Sequence, residues 1–399
     1  MINVVDKYFN LNRILLLTVG LWPYEKSKYV QLQLICVYSI LISGIIFQLT
    51  TMLTSKCTAE FIIKILSPSI GSSGLVIKYN AFYVNSKTVK FLMEQVQHIY
   101  NDLRDNNEIA IVEKYGSIAK HYTTGLTMVF LFGLFIFVSI QLWPNFTYII
   151  LPANTSRSHH SPITMEYFVD QKKYFYLPLF HINATMVIGC FVVISTGSML
   201  IAYLQHACGM FEIASYRIER AIQICISNNI KVQNEILAYK GIIHAVDIHR
   251  KAITFSSYLI SKFEISFMSL IAVGVLALSL SSFRVFQIVL FGYNSEEFLV
   301  NLVIALMCFI YMFLANFIGQ QIIDHNNHVF ATAYKVRWYV TPLHIQRLIL
   351  LLLQRGNKSF GLCVGGLFIA SIECFATVKH ILYTFYIPTN IYHVQIFHI

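Results

Sequence analysis

Fourteen histidines, eight cysteines and one carboxylate set within a long apolar run are the side chains of this 399-residue chain whose chemistry invites a test. Histidine and cysteine hold metals when their spacing brings several onto one turn or helix face. His325 and His328 lie in DHNNH, His244 and His249 in HAVDIH, and His159 directly precedes His160. No HExxH sequence, cysteine pair or acidic cluster at metal spacing accompanies them. Polar positions on helices and loops account for these histidines, so no metal, cofactor or catalytic residue is expected. None of Cys36, Cys57, Cys190, Cys208, Cys225, Cys308, Cys363 and Cys374 forms a CxxC pair. On the topology below Cys57 alone falls outside, so no disulfide framework is implied. Neither a GxSxG elbow nor a GxxxxGK phosphate loop occurs, and the chain does not read as an enzyme.

The carrier of these side chains is 56% hydrophobic and 12% charged, with a mean hydropathy of +0.62. That composition belongs to an all-α membrane protein of one domain, with room for roughly six to eight spans of about 20 residues. The formal charge of +10 comes from 29 Lys and Arg against 19 Asp and Glu, gathered in particular loops. Membrane orientation explains that distribution, and no nucleic-acid partner is needed.

In order, residues 1–29 form a cytosolic arm whose apolar run Ile14, Leu15, Leu16 and Leu17 suits a short helix lying in the membrane interface. It lacks a small-residue cleavage site and is not expected to be a signal peptide. Residues 30–323 hold six spans, at 31–53, 61–84, 127–143, 180–204, 265–290 and 298–323. The second is interrupted by Lys64, Pro68, Gly71, Gly74 and Lys78, a pattern that faces a cavity more often than lipid. Pro144 is expected to end the third. The mixed-charge segments 85–121 and 205–257 read as helix continuing into the cytosol. Residues 324–360 form a cytosolic linker and anchor helix, in which the run 348–353 is too short to cross a bilayer. The last span is expected at 361–387, its Gly361 and Gly365 forming a GxxxG pair for close helix approach. An atypical tail, 388–399, follows.

Lysine and arginine fix the direction of threading. With the N-terminus in the cytosol, the inner segments carry 20 of these residues and the outer ones 4. Seven spans then place the C-terminus outside, and the sequons at Asn145 and Asn154 fall in an outer loop open to glycosylation. The inverted N-terminus argues against a G-protein-coupled receptor. So does the lack of Asp/Glu-Arg-Tyr after the third span and of Asn-Pro-x-x-Tyr in the last.

Several spans carry residues able to wall a pocket for a small, mostly apolar molecule. They are Tyr79, Phe82 and Tyr83 on the second span, Phe132, Phe135 and Ser139 along one face of the third, Met186 and Cys190 on the fourth, and Met307 and Tyr311 on the sixth. Interhelical packing explains each one singly as well. Glu373, within the last span, either faces a water-filled path, bonds to a neighbouring helix or lies near the cytosolic boundary.

Tyr334, Trp338-Tyr339, Arg347, Leu350 to Leu353, Gln354-Arg355, Gly365-Gly366-Leu367-Phe368, Ser371, Glu373 and Phe375 together resemble the carboxy-terminal signature of insect odorant receptors. The seven-span inverted layout is similar to that family over nearly the whole chain, whereas the Thr-Tyr and Gln-Phe ending of gustatory receptors is absent. The resemblance implies a subunit of a four-subunit, ligand-gated, non-selective cation channel in the plasma membrane of sensory dendrites. It further implies a small volatile ligand and a shared co-receptor in a heterotetramer. Trp338, Tyr339, Arg347, Gln354 and Arg355 would join the subunit anchor, and Glu373, Thr377, Tyr386 and Thr389 the pore. The ending departs from the family pattern: Pro388 interrupts it, and residues 380–399 contain no Asp, Glu, Lys or Arg. A non-conducting pseudo-receptor or a transporter-like protein is the alternative, although no internal repeat relates the two halves.

Overall fold

Helices far longer than a bilayer is thick organise the chain. The computed structural model describes residues 7–54, 58–150, 176–227, 232–291, 295–356, 358 and 360–377. In chain order the helices are α1 (Asn10–Thr18), α2 (Lys28–Thr54), α3 (Ala59–Val84), α4 (Ser86–Asp102), α5 (Asn106–Ile150), α6 (Tyr176–Ser227), α7 (Val232–Phe291), α8 (Ser295–Lys335) and α9 (Leu343–Gly356). A 3-10 turn, Trp338–Val340, separates α8 from α9. Among the described residues six helices are long and apolar enough to cross a membrane, beginning with Lys28–Thr54 and ending with Ser295–Lys335.

The 60 residues of α7 extend about 90 Å at 1.5 Å per residue, some three times the hydrocarbon thickness. Each of the four long helices therefore continues as a polar-faced rod beyond the membrane, as the mixed-charge segments predict. The helix α6 is the axis of the bundle, packed against α1, α2, α3, α5, α7 and α8. In its most apolar stretch 72% of residues are buried, against 6% for α8. Beyond the membrane, Val89, Leu92, Met93, Val96 and Ile99 recur at three- and four-residue steps and bury one face of α4. Ion pairs tie the rods together: Arg217 donates to both oxygens of Glu108 at 2.7 and 2.8 Å, and Arg220 bonds Asp105.

Four expectations are corrected. First, α1 does not lie on the interface. Leu15 and Leu16 are buried, and the Asn12 amide donates to Thr123 at 3.2 Å and to Ser198 at 3.0 Å, so the arm is plugged into the bundle between α5 and α6. An apolar run with one well-matched amide gains more from protein partners than from headgroups.

Second, α3 passes through Pro68 without a break, and Gly74 leaves α7 room to approach, a Cβ there lying 3.1 Å from Val273. Third, Pro144 does not end α5, which continues to Ile150. A proline lacks one N–H and strains one turn, but near a helix end the freed carbonyl can be hydrated.

Fourth, residues 361–370 are not helical. Cys363–Val364 pairs antiparallel with Phe368–Ile369. Gly365 and Gly366 form the turn at φ 64° and 68°, and Leu367 N–H donates to the Val364 carbonyl at 3.3 Å. Two consecutive positive-φ residues are the signature of a tight hairpin, and Gly-Gly supplies them without a Cβ penalty. Helix resumes at 372–377. Of the last span and tail expected at 361–387 and 388–399, everything after 377 lies outside the described residues, including Tyr386 and Thr389.

Candidate ligand-binding site

The expected pocket residues separate into three groups. Tyr79 and Phe82 are buried in the large core that includes the arm. The Tyr79 hydroxyl donates to the Val19 carbonyl at 2.9 Å, its ring meets Tyr38 edge-on at 4.9 Å, and Phe82 packs on Phe263 at 5.2 Å. Tyr83 is half exposed beside Tyr38. These residues seal the arm to α2, α3 and α7.

Phe132 and Phe135 point away from the bundle, 66% and 68% exposed, and Ser139 is exposed with them. The buried face of α5 is the opposite one, Phe130, Gly133, Phe137 and Gln141. In lipid, an outward face is as apolar as an inward one, so apolar periodicity marks the helix without saying which side is inside.

The third group converges. Cys190 on α6, Met307 and Tyr311 on α8, and Leu126 and Phe130 on α5 pack as one cluster with Ile194. The Cys190 thiol donates to the Phe130 carbonyl at 3.6 Å. Gly133 is in van der Waals contact with the Met307 thioether, where a Cβ would collide, and Gly197 lies beneath the Tyr311 ring, 3.2 Å from a Cβ built there. Met186 belongs to a neighbouring cluster toward the start of α6, with Phe47, Phe137, Ile182 and Val300. The walls are apolar, aromatic and sulfur-bearing, suited to a small organic molecule.

Polar groups that sequence reasoning did not select complete this region. Gln48 is 1% exposed, and neither its amide nitrogen nor its oxygen has a partner among the described residues. Asn183 donates to Gln141 at 3.5 Å, leaving Gln141 Nε2 and Asn183 Oδ1 unmatched. An amide buried in an apolar span is itself the signal that would have found them. Lys78, noted as an interruption of its span, is buried and bonds the Tyr311 hydroxyl. Lys64, the other interruption, meets Glu297 at 3.1 Å, and Glu297 is gripped by Arg284 at 2.6 Å. A separate small cavity lies under the arm, lined by Tyr8, Phe9, Tyr115 and His206, and none of the expected ligand residues borders it.

The anchor residues lie at the surface. Trp338 packs partly on the core, while Tyr339, Arg347, Gln354 and Arg355 are exposed. Beyond the hairpin, Phe375 inserts between Phe309 and Phe313 at 5.3 and 5.5 Å. Glu373 and Thr377, one turn apart, share the exposed face. Asn145 falls in the last turns of α5, and Asn154 lies outside the described residues. Among the described residues no group of three or more His, Cys, Asp or Glu is placed to hold a metal.

The 7tm Odorant receptor family model matches residues 58–383, most of the chain and five of the six membrane-length helices, all but α2. The chain belongs to the 7tm odorant receptor family. Two solved structures of that kind share its fold. The insect olfactory receptor OR5 from Machilis hrabei in complex with eugenol has a TM-score of 0.77 at 14% identity, over 96% of this chain and 97% of that one. A second structure of OR5 from Machilis hrabei has a TM-score of 0.76 at 14% identity, over 96% of this chain and 98% of that one. No curated protein matches the chain. This odorant receptor is thus a multi-pass, nearly all-helical membrane protein, in a family of receptors rather than enzymes.

Proposed function

We propose that the chain is the odour-tuned subunit of a ligand-gated, non-selective cation channel. It binds a small volatile molecule among Met186, Cys190, Met307 and Tyr311, threads the membrane seven times from a cytosolic N-terminus, and assembles with a shared co-receptor into a heterotetramer. The observation that carries this reading is the division of the segment after the hairpin. Phe375 packs inward on α8, and Glu373 and Thr377 are left exposed, with Ile372 and Ala376 beside them. A carboxylate exposed on a membrane helix is costly against lipid and favourable beside water, so this face suits an axis shared with other subunits.

The exposed Tyr339, Arg347, Gln354 and Arg355 supply the complementary surface for neighbouring subunits outside the membrane. The ligand proposal draws further support from the likeness in fold to a receptor solved with eugenol. Binding opens the pore by favouring the open arrangement over the closed one, which requires contacts that differ between the two. Delivery to the plasma membrane of sensory dendrites follows from the same reading. Co-expression with the co-receptor and whole-cell recording under a volatile panel tests it: evoked cation current is expected, and silence with verified surface delivery contradicts it.

A further inference from the structure

The helix α3 carries two lysines into the membrane bundle, and the structure treats them differently. Lys64 has a carboxylate partner, Glu297, at 3.1 Å. Lys78 is 4% exposed, and among the described residues its polar contact is the Tyr311 hydroxyl, with its Nζ 3.5 Å from the Tyr311 ring centroid. No carboxylate stands within ion-pair distance of it among those residues. An ammonium has three N–H donors, and a tyrosine hydroxyl and ring satisfy it only in part. A buried charge so placed attracts an anion or strong acceptor that enters the same space. The place matters as much as the charge. Tyr311 belongs to the cluster with Leu126, Phe130, Cys190 and Met307, so Lys78 stands at the edge of the apolar region assigned above to the ligand.

We propose that Lys78 and Tyr311 form a headgroup subsite for small organic acids, the carboxylate accepting from Lys78 Nζ and Tyr311 Oη and the hydrocarbon tail lying on Leu126, Phe130, Cys190 and Met307. This rests on the ligand-binding reading above and specifies its chemical class. A carboxylate makes charge-assisted hydrogen bonds there, whereas the matching ester or alcohol leaves the ammonium without a counter-charge. Discrimination then comes from the buried group that the wrong ligand fails to pair.

The test uses the full-length chain in lipid nanodiscs, with hexanoic and phenylacetic acids, their methyl esters and hexan-1-ol as probes. Affinity is read from the ligand dependence of the melting temperature. Wild type is expected to bind at least one acid tenfold or more tightly than its ester. Lys78→Met removes that preference and Lys78→Arg retains it, while Tyr311→Phe weakens the acid without strengthening the ester. If Lys78→Met does not yield monodisperse protein, the wild-type comparison of acid with ester and the Lys78→Arg variant decide. Esters or alcohol binding as well as the acids overturns the headgroup subsite and leaves the ligand-binding reading standing. Absence of binding by all five probes also overturns it. The broader reading falls separately, if a volatile panel evokes no current from surface-delivered receptor.

Discussion

The backbone N–H of Gly365 donates to Glu264 Oε1 at 3.0 Å, fastening the hairpin at 363–369 to the side of α7. Gly365 and Gly366 share positive φ but differ in surroundings: a Cβ on Gly365 would lie 3.0 Å from the Met268 methyl and Cγ and closer than any real contact to its sulfur, whereas a Cβ on Gly366 meets nothing within 4 Å. Gly366→Ala should therefore lose only the left-handed penalty, about 1–2 kcal/mol. Gly365→Ala should lose that and a packing clash besides. Melting temperatures of the two purified variants check the order; equal losses would mean the Met268 side chain yields freely.

Glu297 is the shared carboxylate of Arg284 and Lys64; it and Arg284 are buried, and Lys64 is partly exposed. Glu297→Ala removes the anion and leaves its cations in a poorly hydrated site, a change expected to cost about 3–5 kcal/mol. The double variant Arg284→Met with Glu297→Met should be milder than Glu297→Ala, because the buried guanidinium leaves with the carboxylate and only the partly exposed Lys64 loses its partner. Thermal unfolding in detergent measures both.

The two faces of α5 predict opposite outcomes. Gly133→Ala presses on the Met307 thioether inside the bundle and should cost about 1–3 kcal/mol or repack the pocket, shifting ligand preference toward smaller molecules. Phe132→Ala and Phe135→Ala, on the exposed face, should leave concentration–response curves within about twofold and change stability little. Dose–response recordings on the three variants, with surface delivery matched, separate the faces.

Asn12 anchors the arm through Thr123 and Ser198. Asn12→Ala removes the amide donor from two buried hydroxyls, which keep their bonds to the Ala119 and Ser195 carbonyls, and should cost about 1–3 kcal/mol, loosening α1. Limited proteolysis of purified protein should then cleave the arm earlier than in wild type.

How much of this was legible in the sequence follows from what lipid does to a pattern. The first span, expected at 31–53, is Lys28–Thr54, because unbroken apolar length is what a bilayer requires. The rods beyond the membrane were legible too: Val89, Leu92, Met93, Val96 and Ile99 face a core while water takes the other side, so the period points inward. Inside the bilayer that contrast vanishes, which is why the shared face of Phe132 and Phe135 does not reveal from sequence that it points away from the bundle. The hairpin was missed for a different reason. Gly361 and Gly365 have helical four-residue spacing, but Gly365-Gly366 is also a turn dipeptide, and only backbone conformation distinguishes the two uses. Of the candidate site, Cys190, Met307 and Tyr311, expected as apolar wall, share one packed cluster. Gln48 and Gln141 carry neither charge nor aromatic ring, so only their burial in an apolar span marks them.

Glu373 bears most directly on the central proposal, since it and Thr377 occupy the exposed face of the segment after the hairpin. The decisive measurement is whole-cell recording from cells that co-express the chain with the co-receptor, with sodium and potassium exchanged in the bath and Glu373→Gln compared with wild type. The account predicts ligand-evoked current that persists through the sodium–potassium exchange, with its cation permeability ratios altered by Glu373→Gln and its half-maximal ligand concentration unchanged. Receptor at the surface that passes no ligand-evoked current, or current whose permeation is indifferent to Glu373→Gln, would contradict it.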